Sequence, residues 1–350
     1  MRSCSHRKVF IRTDANPTIA GGHVMRCLSV ADELANVGAD VEFVLSDSTP
    51  AEIIEGRGFS DRVLGTDWRN IEEGVEPLCE LCDAAVSPVV LVDTYSITKE
   101  YVEFLAAHAP VCYLGSKGGD LGNLALIANY STDIDERFYR ETYGGRNTKL
   151  LLGPGYAPLR HDFSLAYRER TEAIRNVLLT TGNTDPYGFI PMFLRGALEC
   201  SELNDVLFSV VVGSMVSDEV YSEILGVVSG NSRVEIHRAV RDMASLMQSC
   251  DAAVTANGTT VYELSAAGLP SVTFAMVEEQ VASAESLASL GAIRYCGLLA
   301  GDVREVAAEC VRNLVELVSD SSEARRIAER AHGLIDGLGA AKIAKEIMTL

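Results

Sequence analysis

FIRTDANPTIAGGHVMRCL, Phe10 to Leu28, decides how this chain is organised. A short β-rich run, residues 9–12, enters a polar, turn-forming segment over 13–18. Two glycines, Gly21 and Gly22, then hand the chain to a helix that begins at His23. Strand, turn and helix in that order are the repeating piece of a parallel α/β sheet. The unit places a histidine in the first turn of a helix, after a loop whose glycines let a ligand approach the backbone. A helix N-terminus disfavours an imidazolium, so a histidine here suits the work of a base. A capping or packing histidine has the same local pattern, and the rest of the chain must decide.

At 350 residues the chain has room for two domains of ordinary size. Hydrophobic residues make up 47% and charged residues 23%, the profile of a globular protein with a full core. The formal net charge of −19 argues against nucleic-acid binding, which needs a basic footprint, and against adhesion to anionic membranes. No apolar run approaches the roughly 18 residues of a membrane span, and the first residues carry no apolar core of a secretory signal. The nine cysteines are odd in number and scattered, the usage of a reduced, cytoplasmic protein. Cys79 and Cys82 form a lone CxxC; without a second pair they read as buried thiols on one helix face rather than as a metal site.

Apolar runs alternate with amphipathic stretches throughout. Strands are expected over 9–12, 41–45, 89–92, 111–114 and 124–128, and then over 176–181, 206–212, 234–237, 252–255, 271–275 and 292–296. Helices are expected over 23–37, 51–57, 98–107, 187–200, 219–228, 243–249, 259–267 and 279–290, with a broken helical tail from 303. The segment 139–172, which contains GPGYAP, is the linker candidate. The expected architecture is α/β: two doubly wound Rossmann-like domains facing across a cleft, residues 1–160 and 161–335, with a last helix over 336–350 returning to the first domain. Ligands in such sheets bind where strands hand over to helices.

Four more loops fall at such places. DAAVTANGTTVYE runs from a strand through Asn257 and Gly258 into a helix opened by Thr259 and Thr260, an anion site suited to a diphosphate. Glu263, one turn on, has the reach for a ribose. An ordinary threonine cap after an Asn-Gly turn is the competing reading. TTGNTDP offers Asn183 and Asp185, as ligands or as plain caps. The segment Glu278–Gln280 puts Glu279 and Gln280 at a strand end, suited to sugar hydroxyls or amides. VVLVDTYSIT ends in Asp93 and Tyr95; a carboxylate there either orients a base or caps the next helix.

Taken in order, these segments resemble one family. The stretch from Arg12 through Asp14, Ile19, Gly22, His23, Arg26, Cys27 and Leu28 is similar to the R-x-D and I-G-x-G-H-x-x-R-C-L signature of the nucleotide-sugar hydrolase of pseudaminic acid biosynthesis. VDTYSI, LLLGPGYAPLRHDF, TTGNTDP, ANGTTVYELSAAGLPSV and EEQ resemble its later motifs, so that the likeness runs from Arg12 to Gly297. The resemblance implies a GT-B-like fold similar to MurG. It also implies metal-independent hydrolysis of a UDP-linked acetamido sugar, without a cofactor, in nonulosonic acid or surface-glycan biosynthesis. His23 would be the general base, Asp14 or Asp93 would orient it, and the C-terminal domain would bind UDP at Gly258, Thr259, Thr260 and Glu263. Arg12, Gly21, Gly22, Tyr95, Asn183, Asp185, Asn257, Glu279 and Gln280 complete the expected substrate site. The expected partner is the UDP-sugar alone, on a monomer or weak dimer.

The chain departs from the family pattern at four places, one being Asn257, which replaces a glycine. Gly115 and Ser116 stand where relatives carry two aspartates, Thr181–Gly182 replaces a double glycine, and Glu279 replaces an asparagine. A glycosyltransferase on the same fold and a catalytically silent sugar-nucleotide binder are the alternatives. The absence of a G-x-G-x-x-G after the first strand argues against a dinucleotide-dependent dehydrogenase.

Overall fold

A computed structural model of the chain describes residues 7–16, 18, 19, 21–169 and 173–350. Cys4, Pro17 of the polar turn and residues 170–172 of the expected linker lie outside these. The chain divides into two compact units, one formed by the residues up to His161 together with Leu338–Leu350, the other by Asp162–Gly337.

The first unit holds seven strands: β1 (Lys8–Thr13), β2 (Asp40–Leu45), β3 (Ser60–Val63), β4 (Val89–Asp93), β5 (Val111–Leu114), β6 (Leu126–Asn129) and β7 (Lys149–Leu152). Its helices are α1 (Gly22–Asn36), α2 (Ala51–Gly56), α3 (Val75–Ala84), α4 (Lys99–Leu105) and α5 (Glu136–Tyr143). A short turn of helix, α6 (His161–Ser164), stands at the crossing into the second unit. There follow β8 (Asn176–Thr180), α7 (Phe189–Glu199), β9 (Leu207–Val212), α8 (Asp218–Val228), β10 (Val234–Arg238), α9 (Met243–Ser249), β11 (Ala252–Ala256), α10 (Thr259–Ala266), β12 (Ser271–Ala275), α11 (Val281–Ser289) and β13 (Arg294–Leu298). The helices α12 (Val303–Ser319) and α13 (Ser321–Leu334) close that unit, and α14 (Gly339–Ile347) belongs to the first.

Both sheets are parallel throughout, in the orders β3-β2-β1-β4-β5-β6-β7 and β10-β9-β8-β11-β12-β13. Their central strands are buried along almost their whole length, as sheets covered on both faces must be. Side chains alternate across β1. Val9 and Ile11 pack with α1 and with Ala340, Ile343 and Ile347 of α14. Phe10 lies in the other layer with Leu78, Tyr101 and Leu105 of α3 and α4. The second core centres on Phe189, Phe193, Phe208 and Phe274, with the Phe189 and Phe274 rings 3.9 Å apart.

Several elements are absent from the sequence expectation, each for a physical reason. SDRV of β3 has no apolar run because it is an edge strand, mostly exposed. The helix α5 buries only Tyr139 and Tyr143, four residues apart, in an otherwise polar stretch. The expected linker begins with ordered structure of the first unit: β7, KLLL, is the last strand of its sheet, and the division of the chain falls after His161. In the helix α3, Cys79 and Cys82 are both buried in the apolar core, where burial pushes their thiols up to about 11 and about 12.

Each sheet has one place where the strand order reverses. In the first, β1 leads outward through β2 to β3 while β4 leads the other way, so the loops after β1 and β4 diverge side by side. In the second, β8 and β11 play those parts. Crevices for ligands open at these switch points. The loops carrying His23, Asp93, Asn183 and Asn257 stand at them.

Candidate active site

The carboxyl ends of β1 and β4 are in register, with Thr13 beside Asp93. The helix α1 crosses above this edge and lays three side chains of one face, positions i, i+3 and i+4, over it. His23 Nδ1 is 2.6 Å from Asp93 Oδ1. Arg26 grips the same carboxylate with both prongs, Nε on Oδ2 at 2.5 Å and Nη2 on Oδ1. Cys27 Sγ donates to Oδ2 at 3.4 Å. Asp93 is 1% exposed. Burial alone would raise its pKa; the charge and hydrogen bonds of Arg26, with the bond to His23, outweigh burial and hold it below the ordinary carboxylate range.

That ionised carboxylate fixes the imidazole. A 2.6 Å contact between Nδ1 and a carboxylate oxygen requires a proton on Nδ1, so neutral His23 presents the lone pair of Nε2. His23 is 4% exposed, and its Nε2 is buried without a protein partner among the described residues. Tyr95, 67% exposed, sets its ring edge-on to the imidazole at 4.4 Å between centroids. Arg26 is held in turn by Tyr130, whose hydroxyl accepts from Nη1 at 3.0 Å. An imidazole with its Nδ1 held by a carboxylate, and a cation that keeps that carboxylate charged, is the arrangement that general-base chemistry calls for.

Asp14 does not meet His23. It lies beyond the end of β1 and turns to the neighbouring strand β2, where the Ser46 N–H donates to Oδ1 at 2.7 Å and Arg12 Nη1 to Oδ2 at 2.6 Å. Ser46 Oγ receives Arg12 Nη2 at 2.5 Å and lies 3.2 Å from Asp14 Oδ2. Arg12 and Asp14 are both buried, so this pair fastens β1 to β2. Gly21 and Gly22 open α1 with no side-chain cap, and a Cβ built at either meets nothing within 4 Å. Their lack of side chains answers to no crowding among the described residues.

In the second unit, Asn257 Nδ2 donates to the Gln280 backbone carbonyl at 3.1 Å, and Gln280 Oε1 accepts from Met276 N at 2.8 Å. These bonds draw the Gln280 turn onto the Asn257–Gly258 loop, with Asn257 Oδ1 buried and unpartnered among the described residues. Gly258 itself occupies the capping position of α10, which carries no side-chain cap. Thr259 and Thr260 therefore begin the helix proper rather than cap it, and the loop presents an uncapped helix N-terminus. Glu263 is half-buried one turn on, and Glu279 is exposed.

Asp185 is not placed as a ligand. Its two oxygens accept from Phe189 N at 2.8 Å and Ile190 N at 2.9 Å, so it caps α7 from a buried position. Burial raises its pKa against the pull of those backbone donors. Asn183 is exposed at the loop tip, accepting from Ser214 Oγ at 3.1 Å. The loop packs so closely on Gly213 that a Cβ there would lie 2.3 Å from the Gly182 carbonyl oxygen.

In the sequence Arg26 and Cys27 stand only as motif residues without a role; their i+3 and i+4 spacing from His23 is the signal that places them beside it. Ser46 and Tyr130 carried none. No cluster of three or more His, Cys, Asp or Glu able to hold a metal occurs among the described residues, and no described helix is long and apolar enough to cross a membrane.

No protein-family profile matches the chain. It is 30% identical over 176 residues to the spore coat polysaccharide biosynthesis protein SpsG of Bacillus subtilis (strain 168), an alignment covering 50% of each chain. The chain spans about half the length of the curated relatives it matches. Among solved structures, MurG of Acinetobacter baumannii superposes with a TM-score of 0.66 over 98% of this chain and 100% of that one, at 14% identity. The UDP-GlcNAc 2-epimerase of Neisseria meningitidis, solved with UDP-GlcNAc bound, gives 0.67 over 98% and 100%, at 11% identity. The chain thus has the GT-B fold: two α/β, Rossmann-like domains with parallel sheets.

Proposed function

We propose that the protein breaks the anomeric C–O bond of a nucleoside-diphosphate sugar, with His23 deprotonating the oxygen that attacks. The observation that carries this reading is the buried Arg26–Asp93–His23 chain, which leaves Nε2 without a hydrogen-bond partner among the described residues. Nε2 takes the proton as the attacking oxygen bonds to the anomeric carbon, and the bond from that carbon to the phosphate oxygen breaks. Asp93 holds the imidazole in its tautomer and stabilises the imidazolium that forms, while Arg26 keeps Asp93 ionised. Taken by itself, the second unit offers a diphosphate the uncapped start of α10 at Gly258–Thr260, with Asn257 and Gln280 beside it. UDP is the nucleotide that the motif resemblance supports, and it is the one in the epimerase that shares this fold.

The attacking oxygen separates two activities. Transfer to a hydroxyl makes the protein a glycosyltransferase of glycan biosynthesis, and the comparisons favour that reading: a polysaccharide-biosynthesis relative and a fold shared with MurG. Transfer to water makes it a hydrolase of a UDP-linked acetamido sugar, favoured by the enclosed Nε2 and the ordered motif resemblance. One assay tests both. UDP release from a panel of UDP-acetamido sugars is followed with and without sugar acceptors, for the wild type and for His23→Ala. Fast release without acceptor assigns hydrolysis, and release that waits for an acceptor assigns transfer. Full activity in a folded His23→Ala protein overturns His23 as the base.

A further inference from the structure

The loop after β5 carries residues that the proposed chemistry has not used. Its first residue, Gly115, is buried, and a Cβ there would lie 2.4 Å from the Tyr113 hydroxyl. No side chain fits at position 115 while Tyr113 keeps its place. The same hydroxyl accepts the Lys117 backbone N–H at 3.2 Å, so the chain folds back over the tyrosine ring. This turn delivers the Lys117 ammonium to the neighbouring loop after β4. There Nζ donates to the backbone carbonyls of Tyr95, at 3.3 Å, and of Ile97. Lys117 forms no ion pair among the described residues, although the chain carries a net charge of −19. Its charge is directed at two carbonyl dipoles on either side of Ser96. Tyr95, the first of those residues, is the one whose ring stands against His23.

We propose that Lys117 is a positioning residue for His23, acting through Tyr95; the proposal rests on the reading of His23 as the base. Where the family pattern places two carboxylates, this loop instead fastens the wall of the site. Tyr113 and Gly115 shape the turn, Lys117 bridges two carbonyls, and the Tyr95 ring is held edge-on to the imidazole. A largely exposed aromatic ring has no fixed place of its own, and its orientation follows the backbone that carries it. Misplacing a base by about 1 Å costs up to about a hundredfold in rate.

The test uses Lys117→Met and Lys117→Arg, at an exposed side chain whose loss leaves the core intact. The first readout needs no substrate. The His23 ring-proton NMR shifts carry the ring current of Tyr95, identified by their change in Tyr95→Leu. Lys117→Met is expected to move them toward the Tyr95→Leu positions, and Lys117→Arg to keep them near the wild type. The second readout is nucleotide release: kcat falls roughly ten- to a hundredfold in Lys117→Met with KM changed less than about threefold, and Lys117→Arg recovers most of the loss. Wild-type His23 shifts in Lys117→Met overturn the proposal. If the wild type releases no nucleotide from any sugar, the catalytic reading fails, while the NMR comparison still decides whether Lys117 sets the Tyr95–His23 contact.

Discussion

His23 Nδ1 and Asp93 Oδ1 stand 2.6 Å apart, 70 residues distant in sequence, because α1 begins just after β1 and β4 lies beside it. Asp93→Asn keeps the shape of this pair but removes the charge that dictates the imidazole tautomer. A fall in kcat of about 10³–10⁴-fold is expected, with nucleotide affinity unchanged. Isothermal titration with UDP beside steady-state kinetics checks both halves; a variant that keeps its rate removes Asp93 from the mechanism.

The same carboxylate makes acid stability predictable. The folded pKa of Asp93 is lowered, so its contribution is complete above the unfolded value of about 3.9 and is lost as pH falls through the lower folded value. Urea unfolding of the wild type should therefore show stability dropping as the medium is acidified below about pH 4. The difference between wild type and Asp93→Asn should shrink over that same range. A difference that stays constant from neutral pH to pH values well below 4 would contradict the assignment.

Removing the cation should cost more than removing a surface charge. In Arg26→Met the buried Asp93 loses both prongs of its clamp, at a cost of about 3–5 kcal/mol. Arg26→Lys offers a point charge in place of a fork and should recover only part of this. Unfolding midpoints of the three proteins rank them directly.

Gly22→Ala separates ligand contact from folding. A Cβ there meets no atom of the described residues within 4 Å, and alanine suits a helix better than glycine by up to about 1 kcal/mol. Stability should hold or rise slightly, while KM for the nucleotide sugar rises because the new methyl stands where the ligand approaches. An unchanged KM would place the ligand elsewhere.

Asp185→Ala reverses that pattern. Loss of the α7 cap should lower stability by about 1–2 kcal/mol and leave KM alone. A large rise in KM with no loss of stability would restore Asp185 as a ligand.

Much of this site was legible in the sequence, and the limits have a common cause. His23, Arg26 and Cys27 fall at i, i+3 and i+4, which a helix turns into one face, so their convergence followed once α1 was placed. Asp93 ends the apolar run VVLVD and so had to lie at a strand's carboxyl end. The choice between Asp14 and Asp93 could not be made, because β1 has a neighbour on each side. A residue just past its end turns toward β2 or β4 according to a register that no local pattern records. Asp185 shows the same limit: capping and ligand binding use one residue type at one kind of loop. The edge strand β3 was hidden because an exposed strand carries no apolar period.

The helix α14 has a consequence for the order in which the protein can be made. Ala340, Ile343, Ala344 and Ile347 fill the layer beneath α1, the helix that carries His23, yet they are translated after the whole of Asp162–Gly337. While a ribosome is still reading the second unit, the first has its sheet and the helix α1 but an open seam along them. The layer beneath the helix that carries His23 is therefore completed only after the whole second unit has been translated.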